Sequence, residues 1–156
     1  MKHWVKHIVA AGLAVAVIGA GLAATQPAYA DPVNDRRAAM KQISKANKVL
    51  RKAAKAGKQA AAKRQARIII ASVNKVSAAG IWPRGTDRKA MGARATRAKA
   101  GIWKDWGAFE KKFGALKKAA SAVAGGNMAA AKRIGKACGS CHKAYRGKKA
   151  KKKRKM

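Results

Sequence analysis

Acidic residues are nearly missing from this chain: its 156 residues include five, Asp31, Asp35, Asp87, Asp105 and Glu110, scattered along its length. Hydrolysis or group transfer relies on positioned acid–base pairs. None is apparent here, so no enzymatic activity is expected. Histidine is also scarce, with copies only at His3, His7 and His142, and cysteine occurs twice, as Cys138 and Cys141. A structural zinc site needs four ligands, and one Cys-x-x-Cys with one His supplies three. Long apolar runs are limited to Ile8–Leu22, whose 15 residues fall short of the roughly 20 that span a bilayer.

That apolar run belongs to a leader. Lys2 and Lys6 precede it, and small residues follow it to Ala28-Tyr29-Ala30. A charged start, a short apolar middle and an Ala-x-Ala end form a secretory signal peptide. Cleavage after Ala30 would export a soluble single domain of 126 residues, starting at Asp31, to the periplasm. His142 is then the last histidine, and it closes the motif Cys138-Gly139-Ser140-Cys141-His142. Two thiols three residues apart reach both vinyl groups on one edge of a porphyrin, and the next residue sets an imidazole under the iron. A thioredoxin-like pair would follow a strand, whereas Met128–Lys136 has a helical pattern. A disulfide between Cys138 and Cys141 would close a tiny loop and contribute little. The motif therefore predicts one haem c, attached through Cys138 and Cys141, with His142 as axial ligand.

The rest of the chain has helical periodicity. Asp31-Pro32 suits a helix start. Arg36, Met40, Ile43, Asn47, Leu50 and Ala54 then recur at steps of three and four, predicting a first helix that ends near Gly57. A second is expected over about 58–79, with Ile69, Val73, Val76 and Ala79 facing inward. Gly80 to Gly101, punctuated by Pro83, Gly85 and Gly92, reads as a long connection. Trp106, Phe109, Phe113, Leu116 and Ala120 mark a third helix, broken at Gly125-Gly126-Asn127, with Asn127 free to cap a fourth. On that last helix Cys138, Cys141, His142 and Tyr145 share one face. The fold expected is all-α, an antiparallel four-helix bundle carrying its covalent haem near the C-terminus.

Several segments resemble the class II c-type cytochromes, the group that includes cytochrome c′. They are Arg36-x-x-x-Met40-Lys41, Ile81-Trp82-Pro83-x-Gly85-Thr86, Gly101-Ile102-Trp103, and Gly135 to Arg146 around the haem motif. The resemblance implies a left-handed bundle that is often a homodimer through its first two helices. It also implies that Met40 faces the haem side opposite His142. A methionine there is the sixth ligand in some members, which carry electrons. In cytochrome c′ proper the matching residue only crowds an open site that admits nitric oxide or carbon monoxide. Met40 as ligand and Met40 as core filler both stand at this point. Arg36, four residues earlier, matches the open-site group. Arg36 and Arg146 are candidates for pairing with haem propionates, because a guanidinium grips a carboxylate bidentately.

Charge departs from that resemblance. The chain's 38 basic residues, less Lys2 and Lys6, against five acids leave the mature protein at +31. Seven of these charges lie in Lys148–Met156, a tail expected to be disordered. Such a surface suits an acidic redox partner protein or an anionic envelope surface, and it opposes dimerisation at low salt. A cationic polyanion-binding protein is the reading from another class. It leaves the haem motif unexplained, and export removes it from specific nucleic-acid targets.

Overall fold

The computed structural model describes residues 31–150. The leader and the last six residues of the basic tail lie outside them. Helix α1 spans Pro32–Lys55, with Asp31 Oδ1 accepting from the Asn34 amide at 2.9 Å and Pro32 in its first turn. Its buried face is Val33, Arg36, Ala39, Ile43, Ala46, Leu50 and Ala53. The line read from the sequence runs along the edge of that face, since Met40, Asn47 and Ala54 are half-buried. The helix closes where Lys58 N–H donates to Ala53 O and Gly57 N–H to Ala54 O. That closure needs the left-handed φ of +67° at Gly57, which glycine adopts without a Cβ penalty.

Helix α2, Gln59–Val76, lies against α1 and α5 and buries Ala62, Ala66, Ile69, Ser72, Val73 and Val76. It stops three residues before the expected end at Ala79. The Val76 carbonyl accepts instead from Trp82 Nε1–H at 2.7 Å, the chain turns through Ala79–Ile81, and Ala79 is exposed. The connection after it is not wholly irregular. It carries α3, Arg88–Ala95, and α4, Gly101–Lys104, which starts at its end. Helix α5, Trp106–Ala124, is capped by Asp105 Oδ1 accepting from the Ala108 amide at 2.8 Å. Asn127 caps as expected, but it caps a short 3-10 turn, Met128–Ala130, which leads into α6, Ala131–Tyr145.

The four long helices close a ring, α1 against α2, α2 against α5, α5 against α6 and α6 against α1. Short turns join α1 to α2 and α5 to α6, so neighbours run antiparallel and the four-helix bundle is as expected. Leu50, Ile69, Val73, Ile102, Phe109 and Ile134 form its fully buried centre. Each such side chain contributes roughly 1.5–3 kcal/mol on burial, and the alanines between them let the backbones approach. No described helix is long and apolar enough to cross a membrane. Among the described residues there is no strand; an isolated antiparallel bridge joins Ala98 to Arg146.

That bridge fastens the connection to the end of α6. Lys99 N–H donates to Tyr145 O at 3.0 Å, and Gly147 N–H donates to Arg97 O at 2.7 Å. Arg97 Nε–H returns a bond to Gly147 O at 2.7 Å, and Arg88 donates to the Lys148 carbonyl. The segment between α2 and α5 is thereby held beside the Cys-x-x-Cys-His helix.

Candidate haem site

One end of the bundle holds a cavity of about 890 Å³. This is within the range of roughly 300–1,000 Å³ for small-molecule and cofactor sites. Met40 of α1 and Cys141, His142 and Tyr145 of α6 line it. Trp82, Ile102 and Phe109 supply apolar wall. Of the residues singled out in the sequence, Arg36, Met40, Cys141, His142 and Arg146 all meet here. Cys138, one turn before Cys141, is half-buried against the hydrophobic core instead of lining the cavity.

The electrostatics of α6 suit ligation better than redox exchange. Burial pushes the free Cys138 thiol up. Burial and the neighbouring Cys138 push Cys141 up to about 11, against a smaller pull from Lys112. Thioredoxin-like cysteines work through a lowered value, so that alternative loses its chemical basis. Both thiols are free. Among the described residues no three His, Cys, Asp or Glu side chains converge as a metal-ion site, which disfavours structural zinc. Burial, with Arg146 and Arg97 adding to it, moves His142 down and favours the neutral imidazole that a metal requires. Arg146 Nη1 stands 3.5 Å from His142 Nδ1, longer than an ordinary hydrogen bond.

Arg36 and Trp82 also line the cavity. Arg36 is 4% exposed, and its guanidinium lies 4.6 Å over the Trp82 ring. It donates to Thr86 Oγ1 at 2.9 Å and to Thr86 O at 3.1 Å. The Thr86 hydroxyl donates in turn to Pro83 O at 2.7 Å. Burial, with Arg37 adding to it and Asp31 opposing, brings Arg36 down to about 10, so it stays a cation at neutral pH. Trp82 also stacks edge-on at 4.8 Å from Phe109, which meets Tyr145 at 5.0 Å. The aromatic chain ties the loop, α5 and α6 into one wall.

Sequence reading missed Arg37, Arg94 and Arg97, which also line the cavity. Arg37 Nη2–H donates to the Arg94 carbonyl at 2.9 Å, linking α1 to α3. The clustered cations of Arg94-x-x-Arg97 were the available signal, hidden by the general excess of Lys and Arg. An apolar cavity lined by one thiol, with the second a turn back on the same helix, an imidazole beside them and several cations fits a haem with two carboxylates.

Comparison with known proteins agrees. The family model described as Cytochrome C' matches residues 31–146. Cytochrome c' from Rhodobacter Spheriodes superposes with a TM-score of 0.63 at 26% identity, over 76% of this chain and 96% of that one. Cytochrome c' from Rhodopseudomonas palustris gives 0.62 at 26% identity, over 78% and 100%. That from Rubrivivax gelatinosus shares the fold, with a TM-score of 0.60 at 19% identity, over 76% and 98%. No curated protein sequence matches. By the family match over residues 31–146, the chain therefore belongs to the cytochrome c′ family, whose members carry one covalently attached haem c.

Proposed function

We propose that this cytochrome is an exported electron carrier of the periplasm, with haem c held through Cys138 and Cys141, His142 as one axial ligand and Met40 as the sixth. The observation that carries the reading is that Met40 from α1 and His142 from α6 open into the same cavity. Haem supplies a reversible one-electron change at its iron, which a His/Met ligand pair biases towards the reduced state. The protein's own part is to hold these groups. Neutral His142 offers a ring nitrogen, Met40 offers a soft uncharged sulfur, and the Trp82–Phe109 wall keeps water from the interior. Arg36 and Arg146 line the cavity with Arg37 and Arg97, and these cations would receive carboxylates. Their charge also disfavours the additional positive charge of an oxidised iron.

A second reading, binding of a neutral diatomic gas, is favoured by the apolar walls and by Met40 being only half-buried. Optical spectra of the purified ferrous protein separate the two. The carrier reading predicts sharp, split alpha and beta bands that carbon monoxide does not shift, and their loss in Met40→Ala. A broad high-spin spectrum in the unaltered protein, shifted by carbon monoxide, would replace electron transfer with gas binding.

A further inference from the structure

We propose that the exposed face of α1 is a binding track for a linear anionic polysaccharide. Arg37, Lys41, Lys45, Lys48, Lys52 and Lys55 recur at steps of four, four, three, four and three, and all six are exposed. At about 100° and 1.5 Å per residue, they lie within an arc of about 80° and extend for about 27 Å, roughly one charge every 5 Å. Neighbours three or four apart on a helix repel when their charges match. No ion pair within the described residues relieves this row, and of its members Arg37 donates to the Arg94 carbonyl. The one ion pair there joins Asp35 of α1 to Lys75 of α2 at 3.5 Å, off the row.

A shallow cleft of about 350 Å³ runs along the same face, lined by Ser44, Asn47, Lys48, Arg51, Lys52 and Lys55. Ser44 and Asn47 give it uncharged polar groups beside the cations. A hydroxyl and an amide among the cations suit a ligand that brings hydroxyls as well as charge. Ser44 lines both this cleft and the haem cavity, so the track leads to the cavity mouth.

Other helices offer no equivalent row. On α5, Glu110 precedes Lys111, Lys112, Lys117 and Lys118, and on α6 Lys136 and Lys143 stand seven positions apart with no cation between them. A folded acidic partner would fit a bounded patch with an apolar centre. A straight file of evenly spaced cations over a hydroxyl-seeking cleft fits an extended, charged glycan. The same file sets like charge against a second copy approaching along α1. None of this depends on how the iron is ligated.

Heparin is the test probe, titrated against the holoprotein at several salt concentrations, with linear polyphosphate as a hydroxyl-free control. Each lost contact should lower the slope of log affinity against log salt by about 0.7. The combined Lys45→Gln, Lys48→Gln and Lys52→Gln variant should therefore lose about two units of slope and at least tenfold in affinity. Lys111→Gln, Lys117→Gln and Lys118→Gln together, an equal loss of charge on α5, should change affinity less than threefold. Asn47→Leu should weaken heparin and spare polyphosphate. Equal losses in both triple variants would mean that charge over the whole surface binds the probe, and would overturn the track. Unchanged heparin binding by Asn47→Leu would overturn the glycan assignment. So would phosphatidylglycerol vesicles that depend on the α1 row when heparin does not.

Discussion

Cys141→Ala is expected to abolish accumulation of stable holoprotein, and Cys138→Ala or His142→Ala to do nearly the same. Cys141 and His142 open into the cavity from α6, and Cys138 stands one turn back against the core. Losing one thiol leaves a single tether, and losing the imidazole removes the only described histidine. The cavity of about 890 Å³ would then stand between α1, α5 and α6 with apolar walls and several cations but no fixed occupant. Like charges facing one another without carboxylates between them push the walls apart. Periplasmic extracts probed for haem-dependent peroxidase activity after denaturing electrophoresis, beside an antibody signal for the chain, measure both quantities. A red Cys141→Ala protein at normal yield would refute this dependence.

The second large effect is at Trp82. Its ring contacts Phe109 and Phe113 at centroid distances of 4.8 and 6.3 Å, and Trp103 at 6.4 Å. Its Nε1–H takes the Val76 carbonyl, and its own carbonyl accepts from Trp103 Nε1–H at 2.8 Å. Trp82→Ala removes the ring, orphans the Val76 carbonyl and uncovers the Arg36 guanidinium. A core truncation of this type costs about 3–5 kcal/mol. For a domain of this size that lowers Tm by more than about 10 °C. Trp82→Phe keeps the ring contacts and loses only the hydrogen bond, at about 1–3 kcal/mol. Guanidinium unfolding of the oxidised holoproteins, followed by circular dichroism, measures both. A Trp82→Ala loss below 1 kcal/mol would show that this wall does not hold the bundle together.

The long helices were legible because apolar residues recur at steps of three and four over many turns, and tertiary packing did not overrule them. The haem motif was legible because two cysteines and a histidine in one pentapeptide have few alternative uses. Helix α3 was not legible because it buries no residue and therefore has no apolar stripe, and Gly92 interrupts it with a φ of +81°. Its one clear sign was Asp87, whose side chain accepts from the Lys89 and Ala90 amides. The early end of α2 depends on a bond from Trp82 to Val76, which no periodicity encodes. Arg36 shows the same limit. Its spacing put it on the inner face, but its partners, Thr86 fifty residues on and the Trp82 ring, follow only from the fold.

Covalent attachment of haem at α6 is open to direct measurement. Proteolysis of the purified protein, followed by mass spectrometry under acid, should find the peptide that contains Cys138 and Cys141 carrying one haem, with neither thiol open to alkylation. If that peptide instead has its unmodified mass, with both cysteines alkylated and any haem released into acidified solvent, the attachment assigned to Cys138 and Cys141 is wrong.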